Sequence, residues 1–173
     1  EYSYTPERAL EEFGTAKAAD RLSEEGKALV VKKSMSASAV IDSLGICKIP
    51  ELSILEDFDL KFAAKAVSII TGIKFTPKEL QKIGEKIINA ERLFNNRFGA
   101  SVKDDTLPDK FLKEPIKEGA SKGSVVNLKS MLHEFYALMG WDQDGKLSTE
   151  KIKEMNLKEI LQVEPIEQNF KKR

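Results

Sequence analysis

The stretch 76-TPKELQKIGEKIINAERLFNNRF-98 decides the fold, because it carries the signals of one long helix from beginning to end. Thr76 is placed to cap the first turn, Pro77 suits the first helical position, and Glu79 is spaced to complete a capping box. A helix of ~23 residues rises about 34 Å, which is enough for the spine of a domain. Its apolar residues recur at helical spacing and predict one buried face, formed by Leu80, Ile83, Ile87, Ala90, Leu93, Phe94 and Phe98.

Helical patterns also occur on both sides of this spine, at residues 5–16, 27–44, 60–71, 127–140 and 149–155. The second of these is rich in Ala, Val and Ser and predicts a buried helix with a break near residues 34–38. Gly45 is expected to end that helix in the left-handed conformation, which glycine adopts at little cost. Residues 50–59 are expected to form a loop or short turn, and residues 168–173 are expected to fray.

Residues 99–123 have a different character, since they combine prolines and glycines with many charges. This composition predicts a long loop with one turn of helix at residues 109–112. Strand signals are scarce along the whole chain. We therefore predict an all-α fold, an irregular helical bundle with a long wrapped loop. Residues 1–98 form its first region and residues 99–173 its second, and the two are expected to make one compact unit.

The composition excludes several classes of function. The 173 residues are 41% hydrophobic and 32% charged, as is typical of a soluble globular chain. Lys and Arg together number 28, as do Asp and Glu, so the formal net charge is zero. This balance argues against a nucleic-acid partner and against attraction to anionic membranes. No apolar run approaches the ~20 residues of a membrane span, and residues 1–20 lack the pattern of a signal peptide.

The single cysteine, Cys47, excludes an intramolecular disulfide and is most simply placed in a reducing, cytoplasmic setting. It ends the stretch 42-DSLGIC-47, in which a helix is expected to stop at Gly45 and the chain to turn. One interpretation is that the turn aims the Cys47 thiol and the Asp42 carboxylate at the same external group. The other is a buried free cysteine that acts as a small hydrophobic residue, and spacing alone favours this second interpretation.

The stretch 42–47 resembles the second D-x-x-G-L-C motif of the aldehyde ferredoxin oxidoreductase family. Further similar segments follow in the order and spacing of the C-terminal region of that family, and the similarity runs from about Ala39 to Leu157. These segments are Glu91–Asn95, Arg97, Lys103–Pro108, Phe111–Leu112, Glu114–Pro115, Lys122–Gly123, Met131–Leu132, Tyr136 and Gly140–Asp142.

The resemblance implies a cofactor site. Enzymes of the family oxidise an aldehyde with water to a carboxylic acid and pass two electrons to ferredoxin. They hold tungsten between two molybdopterin-type dithiolenes, beside a [4Fe–4S] cluster. By resemblance, Asp42 would hydrogen-bond the amino-pyrimidine edge of one pterin, Ile46 would contact the same pterin through its backbone, and Cys47 would be the fourth cluster ligand. Ile46 stands where the family usually has Leu. No catalytic residue is assigned to this chain.

The cysteine count limits what this chain would do alone. A [4Fe–4S] cluster normally takes four thiolates, and the chain has one cysteine. In the family the others come from an upstream C-x-x-C-x-x-x-C run, which is absent here, as are the first pterin motif and the N-terminal β domain. We therefore expect a C-terminal part of such an enzyme, without cofactor and inactive alone, with the N-terminal domains of the same enzyme as its partners.

The alternative is a stand-alone helical binding module of the same fold that carries no cofactor. The surface around residues 42–47 distinguishes the two hypotheses. In a part of a larger enzyme this surface should be exposed, apolar and shaped for a partner. In an independent module it should be covered.

Three other polar motifs are interpreted as structural. The only histidine, His133, has no partner for a zinc site and is expected at the surface. Residues 142–145 (DQDG) carry part of an EF-hand pattern, but Lys151 stands where that loop needs a bidentate Glu, so an Asp-Gly turn is predicted. Residues 104–105 could be a catalytic carboxylate pair. Helix capping, or pairing with Lys103 and Arg97, is the favoured interpretation, and a role in shaping an entry channel stays open.

Overall fold

A computed structural model describes residues 5–48 and 60–162 of the chain. Regular structure in these two segments is helical, apart from one isolated antiparallel bridge between Trp141 and Leu147. The predicted all-α class is confirmed. Its α-helices are α1 (Pro6–Phe13), α2 (Lys27–Ser43), α3 (Lys61–Thr71), α4 (Pro77–Arg97), α5 (Asp109–Lys113), α6 (Leu128–Met139) and α7 (Thr149–Glu154). Short 3₁₀ helices lie at Ala16–Ala19 and Lys158–Gln162. The loop predicted at residues 50–59 and the end predicted to fray at 168–173 lie outside the described residues.

Helix α4 begins as the sequence predicts. The Thr76 hydroxyl accepts a hydrogen bond from the Glu79 backbone N–H at 3.3 Å, and the Glu79 carboxylate accepts one from the Thr76 N–H at 2.7 Å. Pro77 occupies the first turn, where its missing N–H costs nothing. The capping box therefore satisfies the first free N–H groups of the longest helix and fixes where it starts.

Helices α2 and α4 cross at very short range. A Cβ added to Gly84 of α4 would overlap the backbone carbonyl of Ser36 in α2, so only glycine allows this approach. Ser36 is fully buried inside an unbroken helix, and the break predicted near residues 34–38 is therefore wrong. Small side chains there let α4 come close, and packing overrides their weak helix propensity.

The same crossing corrects the predicted buried face of α4. The buried residues are Leu80, Gly84, Ile88, Asn89 and Leu93. Ile83, Phe94 and Phe98, which were predicted to face inward, are exposed. Because Gly84 has to face α2, the residues one turn above and below it turn inward with it, so the predicted Leu80 and Leu93 are buried as expected but the rest of the face shifts around the helix.

The core lies on both sides of this crossing. One cluster joins α2, α3 and α4, and its buried members are Ala37, Val40, Ile41, Leu60, Ala63, Ala64 and Leu80. A second joins α4 to the C-terminal residues through Leu93, Leu147 and Leu157. The Lys32 ammonium of α2 links the helices further, since it lies 3.4 Å from the Glu85 carboxylate and donates to the Leu138 carbonyl at 3.1 Å.

The segment between α4 and α6 is the predicted long loop, and it contains the predicted turn of helix as α5. It is tied down by backbone hydrogen bonds at intervals. The Val102 N–H donates to Asp144, and the Val126 N–H donates to Phe111. Among the helices that the structure describes, none is both long and apolar enough to cross a membrane.

Candidate functional site

Helix α2 ends in a tight turn that positions residues 42–47. The Gly45 N–H donates to the Asp42 carbonyl at 3.1 Å, and the Ile46 N–H donates to the Ile41 carbonyl at 3.2 Å. This pair of bonds defines a Schellman motif, which needs a left-handed residue at its centre. Gly45 has φ of +69°, so the prediction for this glycine is confirmed.

The turn separates the side chains of its last residues. Ile46 is half-buried and packs against the cluster of α2, α3 and α4. Cys47 is exposed, so the interpretation of a buried thiol is wrong. The Asp42 carboxylate is 59% exposed and lies 2.7 Å from the Lys48 ammonium, which is 44% exposed. Carboxylate and thiol are therefore both available to solvent.

The outer edge of the turn is open. Among residues 5–48 and 60–162, no heavy atom beyond the chain neighbours of Gly45 lies within 4 Å of where its Cβ would be. Ser43 and Leu44 are exposed next to it. The surface expected to be exposed in a part of a larger enzyme is exposed, and it mixes polar with apolar groups. A flat ligand could approach the backbone here without displacing a side chain.

Cys47 has no companions for a metal site within residues 5–48 and 60–162. No group of three or more His, Cys, Asp or Glu residues there is arranged to hold a metal ion. His133 is exposed, as predicted. The 142–145 turn is also as predicted, because one Asp142 carboxylate oxygen accepts the N–H groups of Asp144 and Lys146, each at 2.9 Å. That oxygen is used to hold the turn.

A buried polar cluster that the sequence did not suggest lies around Arg92 of α4. The guanidinium holds the Asp105 carboxylate with two hydrogen bonds, of 2.8 and 2.6 Å, and donates a third to the Gly145 carbonyl at 2.7 Å. The Tyr136 hydroxyl donates to the same carboxylate. Asp105 was predicted to cap a helix or to pair with Lys103 and Arg97, and this is wrong: its partner is Arg92. Asp104 accepts from the Ser101 N–H at 2.8 Å.

The cluster continues to the only tryptophan. The Arg92 guanidinium lies 4.7 Å from the centroid of the Trp141 ring, and the Trp141 indole N–H donates to the Asn89 side-chain oxygen at 2.7 Å. Asn89 and Arg92 share the inner side of α4, which helical periodicity marks poorly because it weighs only apolar residues. The signal in the sequence is the spacing of Asn89 and Arg92, which are one helical turn apart and lie next to the apolar residues Ile88 and Leu93.

Electrostatics within the cluster favour the ion pair. Burial alone would raise the pKa of Asp105, but the hydrogen bonds from Arg92 and Tyr136 outweigh it and lower that pKa. Burial, and then the hydrogen bond to Asp105, raise the pKa of Tyr136 to about 12. Burial would lower the pKa of Arg92, yet the Asp105 partner leaves it raised. The carboxylate is thus charged and the phenol neutral at ordinary pH, and neither is poised to transfer a proton.

Fold and turn together define a class: an all-helical domain that presents an exposed carboxylate and an exposed thiol at the end of one helix. The family model for "Aldehyde ferredoxin oxidoreductase, domains 2 & 3" matches residues 1–157. The chain therefore belongs to the aldehyde ferredoxin oxidoreductase family.

Three similar proteins bear the name tungsten-containing aldehyde ferredoxin oxidoreductase. The chain is 45% identical to that of Pyrococcus furiosus over 126 residues, which cover 71% of this chain and 20% of the relative. It is 43% identical to that of Pyrococcus horikoshii over 125 residues, 72% of this chain and 20% of the relative. It is 41% identical to that of Thermococcus kodakarensis over 139 residues, which cover 80% of this chain and 22% of the relative. The chain spans about a fifth of the length of the curated relatives it matches.

Proposed function

We propose that this chain supplies one side of the cofactor site of a tungsten-containing aldehyde:ferredoxin oxidoreductase. In this proposal Asp42 binds the amino-pyrimidine edge of a pterin, Ile46 contacts the pterin through its backbone, and Cys47 is one thiolate ligand of a [4Fe–4S] cluster. The observation that carries the proposal is the exposed Asp42–Cys47 turn in a chain that belongs to this family.

The chemistry of the turn fits these groups. A carboxylate accepts two parallel hydrogen bonds from a donor-rich heterocycle edge, and the Asp42 carboxylate is open to solvent. An open Gly45 leaves room for a planar ring against the backbone. The Lys48 ammonium now pairs with Asp42, but exposed ion pairs contribute only ~0–1 kcal/mol, so exchanging this partner for a pterin costs little.

The proposed overall reaction is the oxidation of an aldehyde with water to a carboxylic acid, which releases two protons to the solvent and passes two electrons to ferredoxin. When bound, the tungsten pterin supplies the oxygen chemistry and the cluster supplies the path for electrons. The residues of this chain hold and orient those groups. The cavity of the substrate is shared with the rest of the enzyme, and no residue here is assigned to the chemical step.

The rest of the site would come from the other four-fifths of the polypeptide that the relatives possess. A four-iron cluster needs three further thiolates, and the chain has no other cysteine. Large apolar residues are exposed on α3, on α4 and beside them, and an apolar surface of this kind marks a protein interface. They are Phe62, Ile69, Ile70, Ile73, Ile83, Phe94 and Phe98. We infer that the N-terminal domains cover this surface.

Two further inferences belong to this proposal. Residues 1–98 and 99–173 are taken to form one folding unit, which the Arg92–Asp105 and Trp141–Asn89 contacts across that boundary support. The enzyme is placed in the cytoplasm, because an exposed thiol such as Cys47 remains reduced there. No contact among the described residues favours the alternative of a stand-alone binding module, since the Asp42–Cys47 turn is open to solvent.

Complementation tests the proposal. The 173-residue chain would be co-expressed with the Pyrococcus furiosus relative truncated before the region that matches this chain. We expect a complex that contains iron and tungsten by mass spectrometry and reduces a viologen dye when aldehyde is added. A well-folded complex without either metal would contradict the proposal.

Variants of the turn test the assigned roles. Cys47→Ser should lower the iron content and convert the signal of a four-iron cluster to that of a three-iron cluster in electron paramagnetic resonance. Asp42→Asn should lower the pterin and tungsten content while the cluster remains. Ser43→Ala, between them on the exposed turn, is the matched control and should change neither metal. A full cluster in Cys47→Ser would refute its role as a ligand.

A further inference from the structure

A cavity of about 700 Å³ lies between the long loop and helix α6, apart from the Asp42–Cys47 turn. Its size is in the range of pockets that bind small molecules. Most of its lining is apolar, contributed by Val102, Leu112, Val126, Leu128 and Leu132. Nothing in the proposed cofactor role uses this cavity, so it requires a separate explanation.

The charged groups around the cavity are mostly positive. Lys103 from the loop and Lys129 from α6 line it, and neither has an ion-pair partner among the residues that the structure describes. The one acid in the lining, Asp105, is held by the two terminal guanidinium nitrogens of Arg92. Two cations therefore border an apolar interior in which the only carboxylate is already neutralised.

Thr106 and Gln143 also line the cavity and carry no charge, and one carboxylate outside the lining, that of Glu24, lies beside Asn127. The Asn127 side chain donates to the Glu24 carboxylate at 3.0 Å, and the Tyr136 hydroxyl donates to Asp105. The exposed His133 imidazole offers one more hydrogen-bonding group at the rim. An apolar interior with cationic rim groups is complementary to a molecule that has an apolar body and one negative end.

We propose that this cavity binds a small organic carboxylate with an apolar tail. The tail lies against Leu128 and Leu132, and the carboxylate faces the ammonium groups of Lys103 and Lys129. The site is independent of the cofactor role proposed for Asp42 and Cys47, because none of its lining belongs to that turn.

The chain contains a reporter for such binding. Trp141 is its only tryptophan, and its ring centroid lies 5.5 Å from that of Tyr136, whose side chain lines the cavity. A ligand in the cavity should therefore change the tryptophan fluorescence. The probes are octanoate, octanol and octylammonium, which share one tail and differ in charge, used below the concentrations at which they form micelles.

Octanoate should give a saturable change in fluorescence, with octanol binding more weakly and octylammonium at least ~10-fold more weakly, a ratio that corresponds to ~1.4 kcal/mol. Lys129→Met and Lys103→Met should each weaken octanoate binding several-fold and leave octanol binding unchanged. Lys153→Met, an exposed lysine of α7 outside the cavity, is the matched control. Equal binding of the three probes would overturn the proposal, and so would octanoate affinity that is unchanged in both Lys→Met variants.

A second measurement locates the ligand. With octanoate, the amide signals in a nitrogen–proton correlation spectrum should shift for residues 102–106 and 126–136 and stay in place for residues 40–48. Shifts spread over the exposed apolar surface of α3 would instead mean non-specific binding and would contradict the proposed site. Both experiments use the chain without cofactor, so their failure would leave the metal-content test of the cofactor role unaffected.

Discussion

Two regions of this molecule are built from the same three kinds of residue and have opposite properties. At the end of α2, a carboxylate (Asp42) and a lysine meet beside Gly45, which has φ of +69°. In the cluster around Arg92, a carboxylate (Asp105) and an arginine meet beside Gly145, which has φ of +71°. The side chains of the second ion pair are 10% and 23% exposed, whereas those of the first are 44% and 59% exposed.

The surroundings of the two glycines also differ: Gly145 is crowded and Gly45 is not. A Cβ on Gly145 would overlap the Arg92 guanidinium, whereas no atom of the described part of the chain lies within 4 Å of the corresponding position at Gly45, chain neighbours aside. Burial therefore makes the Arg92 cluster an anchor that fixes the loop and the C-terminal turn onto α4. Exposure leaves the Asp42–Cys47 turn free to bind something outside the chain. Residue type alone does not distinguish a buried ion pair that fixes a loop from an exposed ion pair that is open to solvent.

The largest expected difference between the regions is in the cost of removing the cation. Arg92→Met would leave the Asp105 carboxylate partly buried without its partner, and we expect a loss of about 3 kcal/mol in the free energy of unfolding. Lys48→Met should cost less than about 0.5 kcal/mol, because its ion pair is exposed. Urea unfolding of both variants measures this, with the exposed Lys86→Met of α4 as a control. Similar losses in the two variants would contradict the contrast.

A smaller difference is expected between the two glycines. Gly45→Ala imposes only the left-handed backbone on a side chain, which costs about 1 kcal/mol. Gly145→Ala adds to the same strain a collision with Arg92, and we expect about 2 kcal/mol or more. The difference between the variants in thermal or urea unfolding isolates the collision. Equal costs would mean that Arg92 moves aside freely and that the cluster is not rigid.

The pH dependence of the free energy of unfolding should reflect the shifted pKa values of Tyr136 and Asp105 in the Arg92 cluster. The pKa of Tyr136 is raised to about 12 in the folded chain. Its contribution to the free energy of unfolding is therefore complete below the unfolded pKa of ~10 and is lost as the pH rises towards 12. Since the pKa of Asp105 is lowered, its contribution is complete above ~3.9 and is lost as the pH falls through the folded value.

Tyr136→Phe is the variant that tests the alkaline part. Its stability should decline less steeply between about pH 10 and 12 than that of the natural chain, because the variant has no phenol to ionise there. Denaturant unfolding at a series of pH values measures the two slopes. Parallel curves would show that Tyr136 ionises alike in the folded and unfolded chains.

The smallest effect on stability is expected at the thiol. Cys47→Ser should change the free energy of unfolding by less than about 0.5 kcal/mol, because the side chain is exposed. In the natural chain, a thiol reagent such as dithionitrobenzoate should react fully with the folded protein, at a rate close to that in urea. Protection of the thiol in the folded chain would contradict its exposure.

Local signals in the sequence predicted much of this structure. Thr76 and Glu79 predicted the start of α4, and Gly45 predicted the end of α2, because caps depend on neighbouring residues only. The rotation of α4 about Gly84 and the unbroken course of α2 were not predicted. Both depend on how closely two helices approach, and Gly84 and the small residues of α2 permit that approach without showing in the sequence which residues face each other.

The candidate site was predicted to a similar extent. The motif at residues 42–47 located the turn, but spacing alone favoured a buried thiol, since the exposure of Cys47 depends on what packs around it. The Arg92–Asp105 pair was missed because its members are 13 residues apart on different elements. The bound groups assigned to Asp42, Ile46 and Cys47 remain predictions that rest on the family.

The close crossing of α2 and α4 has a geometric consequence for the turn. Because the Ser36 backbone rests on Gly84, the rotation of α2 about its own axis is fixed at that point. Asp42 follows six residues later, about 9 Å along the axis. Inserting one residue between them would swing the carboxylate and the thiol by about 100° around the helix, with every residue of the motif still present. The number of helical residues between Ser36 and Asp42 therefore sets the direction in which the turn presents its carboxylate and thiol. That direction depends on a helix contact about 9 Å away from the turn.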